Sequence, residues 1–195
     1  MTRGFTLVEL LIVIAILVVL AVAVVLVLNP AELIKQSRDA TRISDLSTLN
    51  SAIAYYLSVV TTPTWATTVT STCTVGSAFP YSTSQASACT TVASQIIDGN
   101  GWAAGIDLTL ITSGSPLARL PLDPVNVTTT TACPSAAPMN IGCFYAFRAS
   151  SSVGIYEINA NMESNKYRYG GAADVESKDG GNNDEWYEVG SNLSL

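Results

Sequence analysis

The chain opens on MTRGFTLVELLIVIAILVVLAVAVVLVL, in which every residue from Leu10 to Leu28 is apolar and uncharged. At about 1.5 Å of rise per residue, a helix over that run is about 28 Å long, close to the hydrocarbon thickness of a bilayer, so it can span one. Glu9 stands at the edge of the span. A carboxylate costs about 2.5–3.5 kcal/mol at the centre of a membrane and less near its interface, and so calls for a partner. Pro30 interrupts the helical pattern, removing a backbone donor and kinking the chain. Beyond it Ile43, Leu46, Leu49, Ile53 and Tyr56 recur at three- and four-residue steps, while Glu32, Lys35, Arg38, Asp39, Arg42 and Asp45 read as solvated or paired. The pattern predicts one long helix from about Thr6 to Leu57, whose second half lays an apolar stripe on a sheet.

After the helix the period changes. Residues 61–87 contain Pro63, Pro80, many threonines and serines, and the scattered aromatics Trp65, Phe79 and Tyr81, and read as a long loop region followed by a short helix from Ser84 to Ile97. Strand signals gather at Trp102–Ile111, Cys143–Ala149, Gly154–Asn161 and Trp186–Val189, where alternation or β-branched and aromatic enrichment is strongest. Turns rich in Gly and Ser separate them, as an antiparallel sheet of three or four strands requires. A helix laid across one face of that sheet buries both apolar surfaces. The fold class read from the pattern is α+β.

With 195 residues there is room for one long helix and one globular domain over residues 59–195. The net charge of −6 gathers near the end, where Asp174, Glu176, Asp179, Asp184, Glu185 and Glu188 face Lys178 alone, and no nucleic-acid surface is suggested. Cys73, Cys89, Cys133 and Cys143 all follow the span and read as two disulfides of an exported domain. Of the three connectivities, local pairing of Cys73 with Cys89 and of Cys133 with Cys143 is preferred, since each bridge staples one loop-rich excursion. Neither pair has zinc-ligand spacing, and the chain has no histidine. Nor does a nucleotide-binding loop, a nucleophile elbow or a paired set of acid and base groups stand out, so catalysis is not expected. Asn126-Val-Thr and Asn192-Leu-Ser match glycosylation acceptors.

Three readings of the N-terminus compete. In a secretory signal peptide, Arg3 is the basic region and Ala21-Val22-Ala23 the cleavage site, but the apolar run continues through Val24 to Leu28 and Glu9 stands where the apolar region begins. A plain single-pass anchor leaves Gly4, Phe5 and Glu9 without a role. The third reading rests on Gly4-Phe5-Thr6-Leu7-Val8-Glu9 heading a long apolar helix, which resembles the class III signal of type IV prepilins and type II secretion pseudopilins. The resemblance implies a pilin fold, with the long N-terminal helix packed on a small antiparallel sheet. It implies a leader of residues 1–4, cleavage between Gly4 and Phe5 by a prepilin peptidase, and N-methylation of Phe5. Residues 5–29 become the membrane or filament-core half of the helix and residues 30–58 its second half. Glu9 then meets the Phe5 amine of a neighbouring subunit. Such a charge pair is physically reasonable where an unpaired ion is costly, and a pairing within one helix or a glutamate reaching the interface alone are the alternatives.

The resemblance extends more weakly into the head. Leu120-Pro121-Leu122-Asp123-Pro124 resembles the L-P-x-D-P turn of pseudopilin-like domains, and major pseudopilins hold calcium in a C-terminal loop. By that analogy Asp174, Glu176, Asp179, Asp184 and Glu185 are candidate Ca2+ ligands, oxygen donors of the kind calcium takes. A run of acids forming a solvated turn is the competing reading. Pro30 lies further from the cleavage point than the kink proline of type IV pilins, and the Thr-rich insertion before the sheet is longer than in short pseudopilins. The expected function is a self-polymerising pilus subunit, lodged in the cytoplasmic membrane as a precursor and then extracted by an inner-membrane assembly platform and motor into an extracellular or periplasmic filament. A secretion pseudopilin and a monomeric membrane-anchored binding module are the rival functions.

Overall fold

A computed structural model describes residues 4–76, 78–82, 85–128, 133 and 142–195. The N-terminal run forms α1 (Leu7–Leu28) and α2 (Pro30–Val59), separated by Asn29 in the left-handed conformation with φ 40° and ψ 72°. The expected long helical arm is present over residues 7–59, divided at Asn29 into two helices. Pro30 does not kink a helix interior. It starts the second helix at a position where a missing N–H costs nothing, and the Asn29 carbonyl accepts from the Glu32 and Leu33 amides beyond it.

Five strands form the main sheet: β1 (Thr70–Cys73), β4 (Thr90–Thr91), β5 (Tyr145–Ala149), β6 (Tyr156–Ala160) and β7 (Tyr187–Gly190), in the order β4-β1-β5-β6-β7. All neighbours are antiparallel except β1 and β4, which run parallel with Thr72 opposite Thr90. A separate hairpin pairs β2 (Ala78–Ser82) with β3 (Gln85–Ala88). The architecture is α+β, with one helical arm and one sheet. β5, β6 and β7 lie where period-two patterning and aromatic content predict strands, because the face turned to α2 is apolar: Tyr145, Phe147 and Ala149 alternate along β5, and Tyr156, Ile158 and Ala160 along β6. From α2, Leu46, Leu49, Ile53 and Tyr56 are fully buried against that face, and Ile43 is half-buried at the edge.

Three expectations are corrected. Residues 61–87 are not one loop, since β1, β2 and the start of β3 lie within them. β1, Thr-Ser-Thr-Cys, carries no apolar alternation, and its pairing with β5 defines it. The helix predicted from Ser84 to Ile97 is absent: Ser84 lies outside the described residues, and Gln85–Ala88 and Thr90–Thr91 are strands. The Cys73–Cys89 disulfide and the bond from Val92 N to the Cys73 carbonyl draw this stretch alongside β1. The predicted strand at Trp102–Ile111 is an irregular core-filling loop with one 3₁₀ turn, Leu108–Leu110, capped by Asp107, whose Oδ1 accepts from Thr109 N at 3.0 Å. Its apolar side chains Trp102, Ile106, Leu108 and Ile111 are all buried beneath α2, which explains the strand-like pattern. Gly105, at φ +84°, breaks any extended run there.

Candidate functional site

α1 has a clear start. Thr6 is its N-cap, with extended backbone, and Glu9 sits three residues on as its reciprocal partner. Glu9 N donates to Thr6 Oγ1 at 3.3 Å, while Glu9 Oε2 accepts from Thr6 N at 2.8 Å and from Thr6 Oγ1 at 2.7 Å, a complete capping box. Sequence reasoning assigned Glu9 an intersubunit partner and passed over Thr6, although the Thr-x-x-Glu spacing was on view. The structure thus shows how a lone carboxylate is satisfied within one chain.

Along the rest of α1 every described side chain is exposed, from Leu7 at 79% through Ile14 at 52% to Leu28 at 57%. At 22 residues the helix is about 33 Å long, enough to cross a bilayer. Beyond Glu9 that surface is apolar all round, and none of its described side chains is buried in the head. That is the signature of a helix whose proper surroundings are lipid or other helices. Gly4 is exposed, and a Cβ built on it meets nothing within 4 Å, so no requirement of the fold demands glycine there. Of the expected leader, residues 1–3 lie outside the described residues.

The helical arm is held to the head by buried charge. Arg42, fully buried, donates from Nε and Nη2 to the two Asp123 oxygens at 2.7 and 3.0 Å, and from Nη1 to Asp39 at 2.7 Å and Glu163 at 3.2 Å. Arg38 forks onto Glu163 through two 2.6 Å bonds. Asp39 in turn accepts from the Glu163 and Ser164 amides, and Asp123 from those of Val125 and Asn126. Burial works against the Arg42 charge, but the hydrogen bonds and charges of Asp123 and Asp39 outweigh it and raise its pKa. The Leu120–Pro124 turn is thereby seated on α2, and the Pro121 carbonyl also accepts from Trp102 Nε1 at 2.7 Å.

On the opposite face of the sheet lies the acidic loop. Asp174 accepts from the Gly170 and Ser177 amides and the Ser177 hydroxyl. These contacts outweigh its burial and hold the carboxyl below its ordinary range. Glu176 points inward to the amides of Met162 and Tyr169, and burial pushes it up to about 9. Asp179 accepts from Gly181 N and Glu188 N, and burial pushes it up to about 6. Glu188, on β7, is buried beside Glu157 of β6, and burial together with that second carboxyl pushes it up to about 10. A Cβ at Gly181 would collide with the Glu188 carboxylate, so the loop closes tightly over this acid.

Of the five calcium candidates, Asp174 and Asp179 line one surface cavity of about 470 Å3 with Glu188, whereas Glu176 is committed to two amides and Asp184 is exposed. Among the described residues no three Asp, Glu, His or Cys side chains gather closely enough to hold a metal ion. The five do not form one ligand set. Glu157 and Glu188, outside that set, are as deeply buried as Glu176 within it. The cysteines form the disulfides Cys73–Cys89 and Cys133–Cys143, both local in sequence.

Residues 1–25 match the family model for the prokaryotic N-terminal methylation motif. This is the class III prepilin signal of type IV pilins and pseudopilins, a family of structural subunits, and the chain carries it at the head of its long apolar helix. No curated protein and no solved structure matches the chain.

Proposed function

We infer that the chain is a structural subunit of a type IV pilus-like filament, cut between Gly4 and Phe5, methylated on the new Phe5 amine and assembled through α1. The observation that carries this reading is a 22-residue helix, apolar but for a single carboxylate in its first turn and exposed at every described position. Before assembly the helix lodges in the membrane. In a filament, packing against neighbouring helices replaces lipid by protein, a nearly neutral exchange of apolar surroundings, so the work of extraction falls to an assembly motor.

Cleavage creates an ammonium at Phe5, one residue before the Thr6 amide that Glu9 accepts from. The Glu9 carboxylate then has two partners to choose between, its own cap and the amine of a neighbour, and in a low-dielectric surrounding the full opposite charge is the stronger. Mass spectrometry of the mature N-terminus tests the reading: N-methyl-Phe5 is expected, and an intact leader or a start at Val24 overturns it. Glu9→Ala is expected to insert normally and assemble poorly, with a drop of at least tenfold in sheared filaments. Normal filaments from that variant count against charge pairing.

A second reading, a secretion pseudopilin, is favoured by one observation: the Leu120–Pro124 turn sits as a built element of the head, with Asp123 seated on Arg42. Shearing cells and finding no long surface fibres, while a secreted protein is retained in a deletion strain, selects it.

A further inference from the structure

The chain carries two N-x-S/T acceptor sequences, and the fold treats them differently. Asn126, followed by Val127 and Thr128, is half-buried, and its backbone is held in the left-handed region at φ 48°. Its amide donates to Asp123 Oδ1 at 3.1 Å and its side-chain Oδ1 accepts from Thr74 Oγ1 at 2.7 Å, so the residue is part of the turn that seats Asp123 against Arg42. Asn192, followed by Leu193 and Ser194, is exposed. It leaves β7 in an Asx turn, in which its Oδ1 accepts from Ser194 N at 3.1 Å. The turn folds the hydroxyl-bearing residue back toward the carboxamide and leaves Nδ2 without a hydrogen-bond partner among the described residues. The Asn192 amide donates to the Tyr156 carbonyl at 3.3 Å, and the Ser191 hydroxyl to that of Gly154 at 2.6 Å. Since a Cβ on Gly154 would lie 3.6 Å from Leu57, this turn sits at the end of the head beside the C-terminus of α2, away from α1.

We propose that Asn192 is an N-glycosylation site and that Asn126 is not. The donor is an oligosaccharide linked through a diphosphate to a membrane lipid, used by a membrane-bound oligosaccharyltransferase that faces the exported head. Asn192 Nδ2 attacks the anomeric carbon, the carbon–oxygen bond to the diphosphate breaks with its electron pair leaving on the lipid diphosphate, and the proton lost from Nδ2 passes to a carboxylate of the transferase. An N-linked glycan needs an acceptor that reaches a large enzyme and tolerates a bulky, solvated product, which suits an exposed turn and not a turn seated on a buried ion pair. The inference rests on export of the head. The same sample reads that premise separately, through N-methylation of Phe5.

The test is glycopeptide mass spectrometry on the full chain purified from its native cells, with variants expressed there. The wild type is expected to carry a saccharide increment on the peptide containing Asn192 and none on that containing Asn126. Asn192→Gln and Ser194→Ala each abolish the increment, Ser194→Thr retains it, and Asn126→Gln leaves it unchanged. A processed, N-methylated chain with unmodified Asn192 overturns the proposal while leaving the filament reading intact. An increment that survives Ser194→Ala, or one found on Asn126 or on threonine hydroxyls alone, overturns it too.

Discussion

Arg42 shows how much a single side chain settles here. Its buried guanidinium spends donors on Asp39, Asp123 and Glu163, so Asp39 and Asp123 depend on it for their neutralisation, while Glu163 shares it with Arg38. A buried pair adds little over well-packed apolar residues, but losing one member strands the others, at a cost of about 3–5 kcal/mol. Arg42→Ala is therefore expected to destabilise the head by about that amount in urea unfolding of the detergent-solubilised chain followed by circular dichroism. Arg42→Lys, which cannot make the fork onto Asp123, recovers only part of the loss. Equal stability of Arg42→Ala and wild type would show that the charges are hydrated. The sequence reading left the polar face of α2 as solvated or paired, and the Asp39 to Arg42 spacing already allows a pair within one helix. What it could not contain is Asp123 and Glu163, 81 and 121 residues away, which the sheet and the Leu120–Pro124 turn bring to the same point. The Thr6–Glu9 cap, by contrast, is local and was fully legible.

At the scale of elements, the sheet explains why acids are buried at all. Period-two alternation puts Tyr156, Ile158 and Ala160 under α2 and turns Glu157 and Asn159 to the other face, where the C-terminal loop covers them. Folding therefore raises the pKa of Glu176 to about 9 and of Glu188 to about 10, against an ordinary value of 4.5. The folded chain holds protons that the unfolded chain releases, so the stability these acids contribute is fully present below about pH 4.5 and falls as pH rises through 9 to 10. The lowered Asp174 acts in the opposite sense, but its stability is lost only as pH falls, below this window. The melting temperature is expected to fall between pH 5 and 9 by at least about 2–4 °C, and Glu188→Gln to flatten that slope. A melting temperature that climbs with pH would reverse the reading. Strands β5 to β7 were legible because they alternate. Strand β1 was hidden in a Thr/Ser-rich run, and the Trp102–Ile111 loop passed for a strand because burial in a core imposes the same apolar residues without a ladder.

At the scale of the whole molecule the two halves answer to different solvents. Every described side chain of α1 is exposed, whereas α2 contributes Leu46, Leu49, Ile53 and Tyr56 to the core and Arg42 to the ion-pair network, so the structural boundary falls at Asn29 rather than at the end of the helical arm. The head then needs α2 but not α1. A chain of residues 30–195 is expected to be soluble and folded, with both disulfides formed and a melting temperature within about 2 °C of the detergent-solubilised full chain. A chain starting at residue 60 loses the cover of the sheet and is expected to aggregate, since the α2-facing side of β5 and β6 becomes a large exposed apolar surface. If instead the 30–195 chain melts far lower, α1 stabilises the head through contacts made only in the membrane or filament, and the helix could not exchange lipid for neighbours without disturbing the fold. Independence of the two halves is what the proposed polymerisation requires: a finished, oxidised head that travels unchanged while the apolar arm alone changes its surroundings.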